Sequence, residues 1–277
     1  MMNVGILLPV EKKRWRPVTL KTYQIEVITG LNLVVCLLPC TETGARYRPS
    51  YRKRLKAKLD RVFEAQKAWP VLEHPDIGGF YQVDTSVFVE LLKELALQRF
   101  YEILGLIKGV GPLINKEILV TGSSEYLEHA IEILITKVKT INILIPKGVS
   151  EPIEAEKAFL ETGIPVHITT DYQVLNRTGI WLRFPDDNEN FDVLPQKFKG
   201  TIVDFGAMKV IDTKSQKIFN IGIEFSDSIK KRLGKHLLCT WKEGVLEGFM
   251  LLVCSNAWDV SDTEAFRRLE MRFAFLS

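Results

Sequence analysis

The stretch ILVTGSSEYLEHAIEIL, Ile118–Leu134, decides the fold. A short apolar run meets a glycine, and the pattern then changes period: Leu127, Ala130, Ile131 and Leu134 recur at i, i+3, i+4 and i+7. A buried strand, a turn at Gly122 and an amphipathic helix form the unit with which many nucleotide-binding α/β domains begin. The unit then repeats. INILIP, residues 141–146, leads into a helix with Ala155, Ala158, Phe159 and Thr162 at the same spacing, and Gly163 stands where a helix C′ glycine belongs.

Three more short apolar strands follow in IPVHITT, GIWLRF and TIVDFG. Apolar strands separated by amphipathic helices imply a parallel sheet covered on both faces, because right-handed crossovers place the helices there. The expected class is therefore α/β, doubly wound, with strand order 3-2-1-4-5 and a ligand crevice at the carboxyl ends of strands one and four.

Ahead of this repeat the chain reads differently. NVGILLP, TYQIEVIT and LNLVVCLLP are strands bounded by Pro, Gly and Asn. Ser50 is placed to cap a helix over Tyr51–Trp69 that Pro70 stops, with Leu55, Leu59, Val62 and Phe63 on its apolar stripe. HPDIGGFYQVD has the residues of a loop, Thr85–Lys108 carries one long apolar stripe, and KGVGP reads as a linker.

With 277 residues, 46% of them hydrophobic, the chain can bury one large core or two modest ones. Residues 1–110 carry 17 Lys and Arg against 11 Asp and Glu, whereas residues 111–277 carry 20 against 23, so the front is the basic half. No apolar run approaches the ~20 residues of a membrane span. Cys36, Cys40, Cys239 and Cys254 lack a metal-ligand spacing, and no His cluster completes a site, so reduced thiols, no metal and a cytoplasmic location are expected.

Dinucleotide binding asks for three glycines, for the turn, for approach to pyrophosphate and for helix packing. The corresponding residues are Gly122, Ser124 and Leu127, so two of the three positions depart. The amides of a helix start attract anions whatever the side chains, which leaves Gly122, Ser123, Ser124 and Glu125 as the phosphate-binding candidates. After the second strand, Pro146 and Lys147 stand where a ribose-binding acid is expected, and Lys147 can meet the 2′-phosphate of NADP or simply be solvated. Asp204 and Gly206, at the end of TIVDFGA, are candidates for the crevice wall.

From residue 85 onward, the long helix, EILVTG, the β-α-β layout and TIVDFGA resemble the nucleotide domain of the shikimate dehydrogenase and glutamyl-tRNA reductase superfamily. The tail HLLCTWKEGVLEGFMLL is similar to the closing segment of acyl-carrier-protein reductases. That resemblance implies NAD(P) as cofactor, an acyl or other small-molecule substrate, and Cys239 as a thioester-forming nucleophile. Glu243 follows this cysteine by four residues, against three in that family. LVVCLLPCTETGARY is similar to the strand-then-cysteine turn of glutamyl-tRNA reductase, which implies Cys40 as nucleophile, without the Asn-Arg that follows there.

The whole is then a doubly wound parallel Rossmann-like sheet with a smaller N-terminal α+β domain. Residues 1–84 form the N-terminal domain, 85–112 a connecting helix and linker, and 113–277 the Rossmann-like domain with the C-terminal helices. Plainer readings stand beside the chemical ones. Cys239 reads as a packed core thiol, His167 as a hydrogen-bonded core residue, and His129 as a partner of Glu125 at i, i+4. The basic run Arg46–Lys58 reads as a solvated helix face or as a surface for an acidic partner or nucleic acid. Two functions follow: an NAD(P)-binding oxidoreductase-like protein acting on a carbonyl or thioester between two domains, or a non-catalytic relative that works through its basic N-terminal domain. The oligomeric state is not legible.

Overall fold

The structure, a computed structural model, describes residues 1–11, 19–40, 49–77, 79–107, 111–148, 150–185, 198–205, 216–218 and 221–275. The chain divides into two compact units, Met1–Leu92 with Ile223–Arg272, and Lys93–Gly222 with Phe273–Ser277. Among the described residues no helix is long and apolar enough to cross a membrane.

The first unit is built on β1 (Met2–Glu11), β2 (Lys21–Ile28), β3 (Leu31–Cys40) and β4 (Ala68–Glu73), in the order β2-β3-β1-β4. Strand β1 runs parallel to β3 and β4, and β2 joins β3 antiparallel through a turn at Gly30, whose φ is 85°. Helix α1 (Pro49–Ala65) lays Leu55, Leu59 and Phe63 on Leu7, Val34, Cys36 and Leu38.

The expected helix end at Trp69 is corrected, because α1 stops at Ala65 and Trp69 and Pro70 belong to β4. Among the described residues β4 is an edge strand paired with β1 alone, so the missing proline N–H is tolerated there. Lys67, at φ 51°, makes the left-handed turn between helix and strand.

The single helix expected over Thr85–Lys108 is two. These are α2 (Ser86–Gln98) and α3 (Phe100–Gly105), broken at Arg99, whose φ and ψ are −116° and 25°. Its guanidinium reaches forward to both carboxylate oxygens of Glu102 at 2.7 Å. Lys108 lies outside the described residues.

The second unit holds the repeat read from the sequence: β5 (Glu117–Thr121), α4 (Ser124–Leu134), β6 (Thr140–Leu144), α5 (Ile153–Thr162), β7 (Val166–Thr169), β8 (Ile180–Arg183), β9 (Thr201–Asp204) and β10 (Gln216–Ile218). Every pairing is parallel, in the order β7-β6-β5-β8-β9-β10. Counted from β5, that is 3-2-1-4-5 with a sixth strand beyond it. Helix α5 departs from its expected face, since Ala155 is buried but Phe159 is 52% exposed.

The C-terminal segment continues through β11 (Ile221–Phe225), α6 (Asp227–Leu238), α7 (Val245–Trp258), α8 (Asp262–Arg268) and β12 (Met271–Phe275), with β11 and β12 paired. These helices fall in the first unit, not with the Rossmann-like sheet as the expected 113–277 domain had them. Three contacts account for the placement. The Phe249 ring meets Phe88 edge-on at 5.4 Å, Trp241 Nε1 donates to the Glu73 carbonyl at 3.0 Å, and an Arg232 guanidinium nitrogen donates to the Val27 carbonyl at 3.0 Å. At Gly248 a Cβ would collide with the Phe88 backbone, so glycine permits the crossing.

Candidate functional site

The turn after β5 is fixed from the strand side first. Thr121 accepts the Phe184 N–H at its carbonyl (2.8 Å) and the Trp181 indole N–H at its hydroxyl (2.9 Å). One residue on, Gly122 passes close against Phe184, and Ser123 N–H donates to the Pro185 carbonyl at 3.1 Å. The first glycine of the motif is thus required by the neighbouring strand, whatever the turn binds.

Ser123 is the N-cap of α4, with φ −69° and ψ 161°, and its hydroxyl makes no capping bond. Its carbonyl accepts the Leu127 N–H at 3.1 Å. Among the described residues nothing accepts from the amides of Ser124, Glu125 and Tyr126. They are the orphan donors of a helix start, carrying the positive end of its dipole. Leu127, in place of the third glycine, is buried with Ala130, Ile131 and Leu134 on the apolar face of α4.

Aromatic rings gather around this turn. Tyr126 lies nearly parallel to Phe184 (5.9 Å, 13°), and Phe184 nearly parallel to Phe205 (5.1 Å, 11°). Phe100 meets Phe184 and Phe205 edge-on at 5.1 and 6.2 Å. Phe184 and Phe205 each follow directly on a strand end, and those strands are adjacent, so their rings emerge side by side. The sequence carried the signal as one aromatic after each of two consecutive strands, but only strand order makes them neighbours.

The other candidates separate. Lys147 is exposed in the turn after β6. Asp204 is level with Arg183 across β8 and β9, and both are buried, with Asp204 Oδ2 3.7 Å from Arg183 Nη1. Gly206 lies outside the described residues, as do Arg46 and Arg48 of the basic run and the Cys40 side chain.

Cys239 is the C-cap of α6 in the first unit and is exposed, which corrects its reading as a packed core thiol. Cys36 and Cys254 are buried, and burial pushes their thiols up to about 12. His167 is exposed on the edge strand β7 and not a core residue. His129 turns from Glu125 to the Gln98 carbonyl, 3.4 Å from Nε2, and to the edge of Phe100. Within the basic run, Arg52 lies over Phe80 and Lys56 over Tyr81, while Lys53, Arg54 and Lys58 face solvent.

No protein-family model and no curated protein matches the chain. Among solved structures it is similar to L-tryptophan dehydrogenase from Nostoc punctiforme, at 13% identity and TM-score 0.32, over 85% of this chain and 65% of that one. It is similar to the A chain of dipicolinate synthase from Bacillus subtilis at 8% identity and TM-score 0.31, over 76% and 63%. Shikimate dehydrogenase from Aquifex aeolicus aligns at 14% identity and TM-score 0.29, over 96% of each chain. The chain spans less than two thirds of the first two. Likenesses this distant carry no argument about chemistry. The class, an α/β protein with a Rossmann-like doubly wound sheet and a smaller mixed sheet, rests on strand order and direction.

Proposed function

We propose that the second unit binds a nucleotide of the NAD(P) kind by its phosphate, at Gly122, Ser123, Ser124 and Glu125. The observation that supports this is the set of amides at Ser124, Glu125 and Tyr126, without acceptors among the described residues, at the strand-one end of a doubly wound sheet. Open amides and the helix dipole together favour a phosphate oxygen. Lys147 stands in the turn after the second strand, where it can meet a 2′-phosphate. Asp204, buried beside Arg183, serves as a support of the sheet edge and not as a ligand group. An oxidoreductase acting on a carbonyl or thioester is the corresponding activity, and Cys239, exposed on α6, is accessible enough to be tested as its nucleophile.

The test is calorimetric titration of the purified chain with NADH, NADPH and ADP-ribose, beside melting curves. One ligand should bind per chain, and at 100 times its dissociation constant it should add about 2.7 kcal/mol of stability. No binding and no shift with any of the three at millimolar concentration overturns the proposal.

A second reading, a non-catalytic protein that acts through its basic first unit, has one observation of its own. Arg54, Lys58 and Arg61 are exposed on α1 at i, i+4 and i+7, a positive stripe suited to an acidic partner. Nucleotide-independent binding to an acidic polymer, lost on reversing those three charges, would favour it.

A further inference from the structure

The first unit contains a cavity of about 750 Å³ at the amino ends of β1 and β4, walled on its other side by the C-terminal half of α7. Its size is that of a small-molecule site, a range of ~300–1,000 Å³. Two indoles line it. Trp69 is held by edge contacts to Phe63 and Tyr81 at 6.3 and 5.6 Å and stays 43% exposed, while the Arg268 guanidinium covers one face of Trp258 at 5.7 Å. Met2 and Leu252 add apolar surface, and Asn256 contributes an exposed carboxamide.

Charge in the lining has one sign. Lys67 is its cationic side chain, and among the described residues no carboxylate lines it. Lys67 is also held in an unusual way for a lysine, at φ 51°, with its amide donating to the Glu64 carbonyl at 3.0 Å. A left-handed backbone at a residue other than glycine is strained, and it persists where the surroundings fix it. Here the preceding residue is pinned twice: the Gln66 carbonyl accepts from Asn3 Nδ2 at 2.6 Å, and Gln66 Oε1 accepts from Gln24 Nε2 at 2.8 Å. The lysine is thereby set on a fixed wall beside Trp69.

Indole surfaces favour a flat ring, since aromatic pairs gain from stacked or edge contacts beyond area alone. An ammonium in a lining that holds no acid among the described residues favours an anion, and a carboxylate gives it a charge-assisted hydrogen bond. We infer that this cavity is a binding site for a planar aromatic carboxylate, its ring between the indoles of Trp69 and Trp258 and its carboxylate at Lys67. The site belongs wholly to the first unit and is independent of the turn at Gly122.

The experiment is calorimetric titration of the full chain with naphthoate and with naphthamide, its neutral counterpart. The variants are Lys67→Asn, which keeps a residue tolerant of the left-handed backbone, and Trp258→Leu, with melting curves to show that each is folded. One naphthoate should bind per chain, more tightly than naphthamide. Lys67→Asn should weaken naphthoate roughly tenfold, the loss of a charge-assisted bond, and leave naphthamide unchanged. Trp258→Leu should weaken both. The inference is overturned if naphthoate does not bind at millimolar concentration, if naphthamide binds as well as naphthoate, or if either folded variant binds naphthoate like the wild type.

Discussion

Gly122 and Phe184 meet at the carboxyl edge of the second sheet so closely that a Cβ on the glycine would stand 2.7 Å from the phenylalanine Cβ. The obstructing atom is attached directly to the backbone of the next strand, so it cannot swing aside. Gly122→Ala should therefore cost about 1–3 kcal/mol in denaturant unfolding, the range for overpacking a core. Gly105, at the end of α3, has open space where its Cβ would be. Gly105→Ala should be neutral or stabilising by up to ~1 kcal/mol, and equal effects at the two positions would sink the packing argument.

The open amides of α4 can be tested one at a time. Ser124 is the first helical residue, and Ser123 before it has the extended backbone that a following proline demands. Proline fits this position because the amide it removes has no helical partner. Ser124→Pro should leave the melting temperature within a few degrees of wild type and weaken a bound nucleotide by roughly tenfold or more. If nucleotide binds the variant unchanged, the phosphate is not held at this turn.

Much of the second unit is legible in the sequence because its signals are local. The run Ile118–Thr121, the glycine and the stripe Leu127 to Leu134 each specify their own conformation, and the succession of strand and helix specifies the parallel sheet. What escapes is contact between segments distant along the chain. Pro70 reads as a helix stop, and only pairing with β1 makes it part of a strand. The apolar face of α7 is compatible with either sheet, and the close crossing at Gly248 and Phe88 decides between them. His167 looks interior because its strand neighbours are apolar, yet β7 is at the sheet edge. The ring stack of Tyr126, Phe184 and Phe205 is likewise a product of strand order.

Asn142 offers a test of polar burial in the second sheet. It sits in β6, level with Leu119 and His167, and is 8% exposed, with no partner for its side-chain Nδ2 among the described residues. A buried donor left unmatched costs on the order of 1–3 kcal/mol, and replacement by an apolar group of similar shape removes that cost. Asn142→Leu should raise stability by about 1 kcal/mol, read from the midpoint of urea unfolding. A drop of that size would mean that the amide is satisfied in solution.

Glu247 gives the first unit a pH dependence whose sign can be worked out. It lies in the first turn of α7, and burial raises its carboxyl from 4.5 to about 7. Backbone groups of Glu247 and Gly244 and the Lys230 ammonium pull the other way, and Lys230 is itself engaged by Glu224 at 2.5 Å. Between 4.5 and about 7 the folded chain binds a proton that the unfolded chain has released. Stability from this group is therefore fully present below 4.5 and lost as pH rises through about 7. The loss is on the order of 3 kcal/mol at most, reduced by whatever water reaches the carboxyl. Glu247→Gln keeps the shape and removes the proton. The variant should match wild type near pH 4, exceed it at pH 8, and unfold with less dependence on pH across that interval. A wild-type protein whose stability instead rises between pH 5 and pH 7 by an amount that Glu247→Gln abolishes would show that the carboxylate is the form the fold prefers.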